Sequence, residues 1–232
     1  MNLKQQAAHR AVSYVNSGMV IGLGSGSTTT YFIKMLGERL KGGKIRDIVG
    51  VPTSADTARL AQGLGIPLVS LAELDPHNPL PALDLAVDGA DEIDPGLNLI
   101  KGLGRALLRE KIVESHADQL IIIADDSKLV PHLGQGPLPV EVVPFEARAH
   151  VRWLQSLSSR AELWLEEGGK PVVTDNGNYL VRCWFQGGIP NPHSLAREMA
   201  DHSGIVEHGL FLDMADLAIV AGPEGIQVKE RK

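Results

Sequence analysis

A single cysteine, Cys183, stands among 232 residues, so no internal disulfide can form. Long apolar runs are equally missing. The longest, such as 120–124, fall far short of the roughly 20 residues that a helix needs to cross a bilayer, and the opening MNLKQQAAHR lacks the apolar core of a signal peptide. These absences predict a cytoplasmic chain with no membrane partner. No Lys/Arg cluster offsets the excess of 28 Asp+Glu over 22 Lys+Arg, a formal charge of −6, so a long polyphosphate such as duplex DNA is repelled and nucleic acid is not an expected partner. The eight histidines show no H-x-x-x-H or H-E-x-x-H spacing, which argues against a metal site. What remains is an ordinary globular balance of 44% apolar and 22% charged residues. At this length folding buries roughly 70–75% of the unfolded chain's surface, enough for a core without staples and for one or two domains.

The hydrophobic period changes several times along the chain. Ala8, Ala11, Val12 and Val15 form a helical stripe within 3–17. The apolar run 19–23 then reads as a strand, GSGST as a glycine turn, and 28–40 as a helix through Phe32, Met35, Leu36 and Leu40. The alternation continues with a strand at 48–51, a helix at 54–64, strands at 66–71 and 83–87, a helix near 105–117 and a strand at 120–124. Strands alternating with helices predict a parallel sheet covered on both faces, a Rossmann-like arrangement. After 134 the pattern becomes strand 140–145, helix 146–157, strand 161–165, a hairpin of 172–174 and 179–184 closed by Asp175-Asn176-Gly177-Asn178, helix 194–202 and strand 205–211. That order is close to a ferredoxin-like β-α-β-β-α-β unit. The strands at 215–221 and 226–229 are expected to return to the first sheet. The predicted organisation is therefore an α/β Rossmann-like domain of 1–133 plus 209–232, with a smaller α+β domain of 134–208 inserted near the C-terminus. The Pro-rich stretch 75–81 reads as a surface loop.

Three segments carry candidate chemistry. The turn Gly24–Thr28, between strand and helix, aims backbone N–H groups and the helix dipole at one spot, with hydroxyls on Ser25, Ser27 and Thr28. It lacks the lysine of a nucleotide-hydrolase loop and the third glycine of a dinucleotide fingerprint, so a monophosphate fits it best; a mere capped turn is about as compatible with these residues alone. DGADEID, at 88–94, follows a strand at the sheet edge where open α/β folds bind ligands, and Gly89 and Ala90 leave room for a small polar molecule between Asp88 and Asp91. A solvated acidic loop, or less plausibly a cation site of Asp88, Asp91 and Asp94, are the alternatives. In KGLGRALLREK, at 101–111, one continuous helix would set Lys101 and Glu110 on opposite faces. Gly102 and Gly104 instead predict a loop that turns the ammonium toward Glu110, a helix starting near Arg105, and a half-buried face of Leu103, Leu107 and Glu110. An exposed helix with Glu110 in water is the competing reading. Lys128, ending ADDSK, follows a strand end and either reaches the same crevice or faces solvent, while Cys183 reads as a packed apolar residue.

Taken together, GSGST at Gly24, VPTS at Val51, DGADEID at Asp88, KGLGRALLREKIV at Lys101, IADDSK at Ile123, PLPVEVVP at Pro137, VTDNGN at Val173 and GLF at Gly209 resemble the A-type ribose-5-phosphate isomerases over nearly the whole chain. The resemblance implies aldose-ketose interconversion of ribose 5-phosphate and ribulose 5-phosphate in the pentose phosphate pathway, with no metal or organic cofactor, in a homodimer or homotetramer. It implies sugar-phosphate contacts at Ser25, Gly26, Ser27, Thr28, Asp88, Gly89, Ala90, Asp91, Lys101, Gly102, Leu103, Gly104 and Lys128, and Glu110 as proton acceptor. Leu103 and Arg105 depart from the run of glycines common after the lysine, and YLVRC replaces an acidic residue often found after the hairpin. A sugar-phosphate sensor, a hexosamine-phosphate deaminase and an acyl-CoA transferase are the rival readings; the motif order and the absence of a helix-turn-helix before residue 19 disfavour them.

Overall fold

The near-continuous apolar runs that the sequence offers as strands are buried along almost their whole length, as parallel strands covered on both faces must be. The computed structural model describes residues 1–74 and 82–231; the loop expected at 75–81 lies outside them. In chain order the elements are α1 (Leu3–Val12), β1 (Val20–Leu23), α2 (Ser27–Lys41), β2 (Val49–Pro52), α3 (Ala55–Gly63), β3 (Leu85–Asp88), β4 (Glu92–Ile93), β5 (Leu99–Ile100) and α4 (Leu107–Glu114). They continue with β6 (Leu120–Asp125), β7 (Leu138–Val142), α5 (Ala147–Leu157), β8 (Arg160–Leu163), β9 (Tyr179–Trp184), α6 (Pro192–Ala200), β10 (Ile205–His208), β11 (Leu210–Phe211), β12 (Leu217–Gly222) and β13 (Gly225–Glu230).

The chain divides into two units. The first comprises Met1–Ala90, Arg109–Lys128 and Met214–Lys232. Its sheet has the order β13-β12-β6-β3-β1-β2, parallel throughout except for β13, which hairpins back on β12. Both C-terminal strands thus return to the first sheet, as the sequence predicts. One face is closed by α1 and α2, whose Ala7, Ala8, Ala11, Phe32, Ile33 and Leu36 pack with Ile21, Leu23, Leu85, Val87, Ile121 and Ile219. Alanines on α1 let that helix lie close against the strands. Val113 of α4 packs with Val51 and Leu83 in a separate cluster.

The second unit comprises Asp91–Leu108 and Leu129–Asp213. Its larger sheet is antiparallel with order β10-β7-β9-β8. With α5 and α6 between the strands, this is the 4-1-3-2 arrangement of a ferredoxin-like β-α-β-β-α-β unit. A small sheet β11-β5-β4 completes it. Residues 91–108 group here, ahead of the expected start at 134, because β4 pairs with β5, β5 pairs with β11 and Ile93 bridges Leu129. Cys183 is fully buried beside Val140, Leu154 and Val181, and desolvation pushes its thiol pKa up to about 12. It packs as an apolar residue.

Several expected boundaries shift for physical reasons. α1 ends at Val12, where Ser13 turns its hydroxyl onto the Arg10 carbonyl. The strand expected at 66–71 reduces to a bridge between Gly50 and Leu68, followed by a short 3-10 turn at Leu71–Glu73 capped by Ser70; Pro67 has no N–H with which to extend the ladder. The 172–174 arm of the hairpin is no regular strand: Val173 bridges Tyr179, and the Val172 and Thr174 N–H groups donate to the Trp164 and Asn178 carbonyls, while Gly177 takes the left-handed conformation its turn needs. Glu141, fully buried on β7, clasps that turn by accepting hydrogen bonds from Thr174, Asn176 and Asn178. The strand expected at 205–211 breaks at Gly209, so that β10 pairs with β7 and β11 with β5.

Phe32, fully buried at the centre of the first core, should make Phe32→Ala cost about 3–5 kcal/mol of unfolding free energy in urea denaturation. A loss below about 1 kcal/mol would contradict this packing.

Candidate active site

The first sheet has a topological switch point. From β1 the chain crosses through α2 to β2 on one side, then returns to β3 on the other side of β1. The carboxyl ends of β1 and β3 therefore open a crevice, the usual ligand position in an open α/β sheet. Gly24–Ser27 leave one strand there and Asp88–Ala90 the other. Asp88, 1% exposed, accepts hydrogen bonds through Oδ1 from the Ser25 N–H at 3.0 Å, the Gly89 N–H at 2.6 Å and the Thr29 hydroxyl at 3.2 Å. Gly24 makes this approach possible: a Cβ on it would fall 2.1 Å from Asp88 Cγ. Any larger residue would drive the carboxylate out of the turn.

The turn then runs into α2, whose N-cap is Gly26 with no side-chain cap. The first-turn N–H groups of a helix have no intrahelical acceptors, and the dipole adds positive potential, so Ser27 and Thr28 lie where an anion is favoured. Lys4 on α1 donates from Nζ to Ser27 Oγ at 2.8 Å and adds a cation to the turn. Sequence spacing could not reveal Lys4, because only tertiary packing brings α1 to α2. The Ser25 side chain, expected to face a phosphate, is committed elsewhere. Its Oγ lies 2.7 Å from Thr53 Oγ1 and 2.8 Å from Ser54 Oγ, while Thr53 and Thr57 donate to the Leu23 and Gly24 carbonyls. The VPTS segment thus fastens the turn from beneath.

The remaining first-unit candidates are Glu110 and Lys128. Glu110 is 4% exposed on α4, three residues after the fully buried Leu107. The predicted alignment of Leu103 with these two does not form. α4 begins at Leu107 rather than near Arg105, whose φ of +70° is not helical, and Leu103 lies exposed before it. Lys128 ends a 3-10 turn after β6, half-buried, and makes no ion pair with a described residue.

In the second unit, Lys101 is 2% exposed. Its N–H donates to the Gly209 carbonyl at 2.9 Å and its ammonium lies 5.3 Å from the Phe211 ring centroid. Gly209 is required by close approach, since a Cβ there would come within 2.2 Å of the Lys101 carbonyl oxygen. Gly102, Leu103 and Gly104 form a tight turn closed by the Arg105 N–H donating to the Gly102 carbonyl at 2.9 Å. The Leu103 N–H donates to Asp91 Oδ2 at 2.9 Å, so Asp91 and the glycine loop form one group. Asp94 does not join it: its carboxylate accepts from the Gly96 and Asn98 N–H groups and the Asn98 amide, shaping a turn. Glu92 likewise receives the N–H groups of Gly134 and Gly136. Among the described residues no group of three or more His, Cys, Asp or Glu could hold a metal ion, and the aspartate-cluster reading has no support.

The sequence profile of the family described as ribose 5-phosphate isomerase A (phosphoriboisomerase A) matches residues 49–225. The chain is 51% identical over 224 residues to the ribose-5-phosphate isomerase A of Roseiflexus castenholzii, covering 96% of this chain and 93% of that one. Among solved structures it resembles a D-ribose-5-phosphate isomerase in complex with phospho-erythronic acid, at 45% identity and a TM-score of 0.93 with both chains fully covered. It also resembles the ribose 5-phosphate isomerase A of Methanocaldococcus jannaschii, at 38% identity and a TM-score of 0.90 over 99% of this chain and 98% of that one. With matches that run the length of both units, the chain belongs to the ribose 5-phosphate isomerase A family.

Proposed function

We propose that Glu110, Lys101, Asp88 and Asp91 carry the family's aldose-ketose isomerisation in this chain, with the substrate phosphate on the Gly26–Thr28 turn. The reaction interconverts D-ribose 5-phosphate and D-ribulose 5-phosphate in the non-oxidative pentose phosphate pathway. The supporting observation is the burial of two opposite charges within ten residues, Lys101 at 2% and Glu110 at 4% exposed. A solvated helix would leave both in water; burying an ionisable group is costly unless it is paired or hydrogen-bonded, and groups buried in this way concentrate at functional sites.

In the aldose-to-ketose direction Glu110 takes the proton from C2. The C–H electron pair becomes the C1–C2 double bond while the carbonyl pair moves onto O1, and the Lys101 ammonium stabilises that oxyanion. Transfer of the O2 proton to O1 and return of the carbon-bound proton from Glu110 to C1 complete the ketose. Asp88 and Asp91 hold sugar hydroxyls, one of them assisting furanose opening. The N-terminus of α2, with the Ser27 and Thr28 hydroxyls and Lys4, holds the 5-phosphate and so fixes the reacting carbons. Gly89 and Ala90, the Gly102–Gly104 loop and Lys128 complete the substrate contacts. The chain is proposed to act in the cytoplasm as a homodimer or homotetramer; no described helix is long and apolar enough to cross a membrane.

Glu110→Gln retains shape but cannot accept a proton, so kcat should fall by roughly a hundred- to ten-thousandfold with ribose 5-phosphate binding preserved. Turnover near wild type in a coupled ribulose 5-phosphate assay would remove Glu110 from the mechanism. Thr28→Ala should weaken ribose 5-phosphate much more than ribose in calorimetric titration, because only the phosphorylated sugar uses the α2 N-terminus; equal losses would place the phosphate elsewhere.

A further inference from the structure

Arg105 follows the Gly102–Gly104 turn, and its backbone takes a conformation that favours glycine, φ +70°. Such a conformation persists only where surrounding contacts hold it. Here the side chain supplies them. Arg105 Nη1 lies 2.6 Å from Glu166 Oε1 and Nη2 lies 3.4 Å from Oε2, a two-pronged ion pair. The guanidinium also lies 5.3 Å from the ring centroid of Trp164. Trp164 and Glu166 are themselves fixed. The Trp164 N–H donates to the Leu180 carbonyl, the Val172 N–H to the Trp164 carbonyl, and the Glu166 N–H to the Lys170 carbonyl, all between 2.7 and 2.9 Å. Arg182, paired with Glu162, lies 5.1 Å from the same indole centroid.

The anchored residue closes the glycine loop. Its N–H ties back to Gly102, and within that turn the Leu103 N–H points at Asp91 Oδ2. We infer that Arg105 is a positioning residue: its clasp on Glu166 and Trp164 holds the Gly102–Gly104 turn that follows Lys101 in the shape that keeps the Leu103 N–H on Asp91, without touching substrate. This rests on the reading of that loop as a substrate contact. A run of glycines samples many conformations in the free enzyme, and a loop held in one of them loses less freedom when substrate arrives. In this chain a side-chain clasp supplies that order.

Because the pair is partly exposed, at 42% and 47%, its loss should leave the fold intact, so steady-state kinetics isolates the effect. Arg105→Ala and Glu166→Gln should each lower kcat/KM by about ten- to a hundredfold, with unchanged thermal midpoints. The double variant should be no worse than either single one, and Arg105→Lys should recover only part of the loss because it cannot form the fork. Arg105→Gly, which relaxes the backbone but removes the clasp, should resemble Arg105→Ala. Wild-type kcat/KM in Arg105→Ala or Arg105→Gly, alongside an inactive Lys101→Met, would overturn the clasp and leave the catalytic reading standing. Losses that multiply in the double variant would also overturn it. Full activity in Lys101→Met would instead remove the loop from the chemistry, and the clasp's role with it.

Discussion

One buried carboxylate organises the carboxyl edge of the first sheet. Asp88 lies where β3 ends, yet its Oδ1 is held by the Ser25 and Gly89 N–H groups and by Thr29 of α2. Hydrogen bonds to a charged group are worth about 1.5–3 kcal/mol each, and withdrawing a carboxylate from water without them would be strongly unfavourable. Much of the local sequence follows from this requirement. Gly24 leaves the space for the carboxylate, and Thr29 at the first turn of α2 supplies a hydroxyl to it. The Thr53, Ser54 and Thr57 hydroxyls hold Ser25 and its neighbouring carbonyls from the β2 side. With its N–H groups partly engaged by Asp88, the turn offers an anion the remaining donors of α2, next to Lys4.

In the second unit the chain is organised by a crossing. Gly209 is the point at which the backbone leaves the four-stranded sheet for the three-stranded one, and there it accepts the Lys101 N–H and donates to the Pro139 carbonyl. Lys101 is therefore placed by backbone pairing from far along the chain, while the residues after it are placed by Asp91 and Arg105. The position of the lysine is set by sheet topology; the shape of its loop is set by side chains.

Hydrophobic period and turn chemistry carried much of this into the sequence. Runs such as LIIIA at 120–124 are long enough and apolar enough that a strand buried on both faces is their natural state, and the ferredoxin-like order was legible from alternating periods around an Asn-Gly turn. The two-residue strands β4 and β5 were not, since each is too short to show a period and the sheet they form is completed by the distant β11. Helical spacing also misplaced Leu103: it fits a stripe with Leu107 and Glu110, but two glycines and a left-handed Arg105 keep the segment out of the helix. For the candidate site, residue types singled out the GSGST turn and DGADEID but could not divide their labour. Asp88, Glu92 and Asp94 are equivalent on paper. In the fold one secures the turn at the sheet edge, one secures the 134–136 loop and one shapes its own turn.

The central claim is that the turn secured by Asp88 holds the sugar phosphate in place for proton transfer at C2. Incorporation of solvent deuterium at C2 of ribose 5-phosphate, followed by proton NMR in wild type and in Gly24→Ala, tests it directly, with circular dichroism confirming that the variant is folded. A Cβ at residue 24 would collide with the Asp88 carboxylate, so a folded variant should exchange at least about a hundredfold more slowly than wild type, in line with the cost of misplacing reacting groups by about 1 Å. Exchange at the wild-type rate in folded Gly24→Ala would contradict the claim.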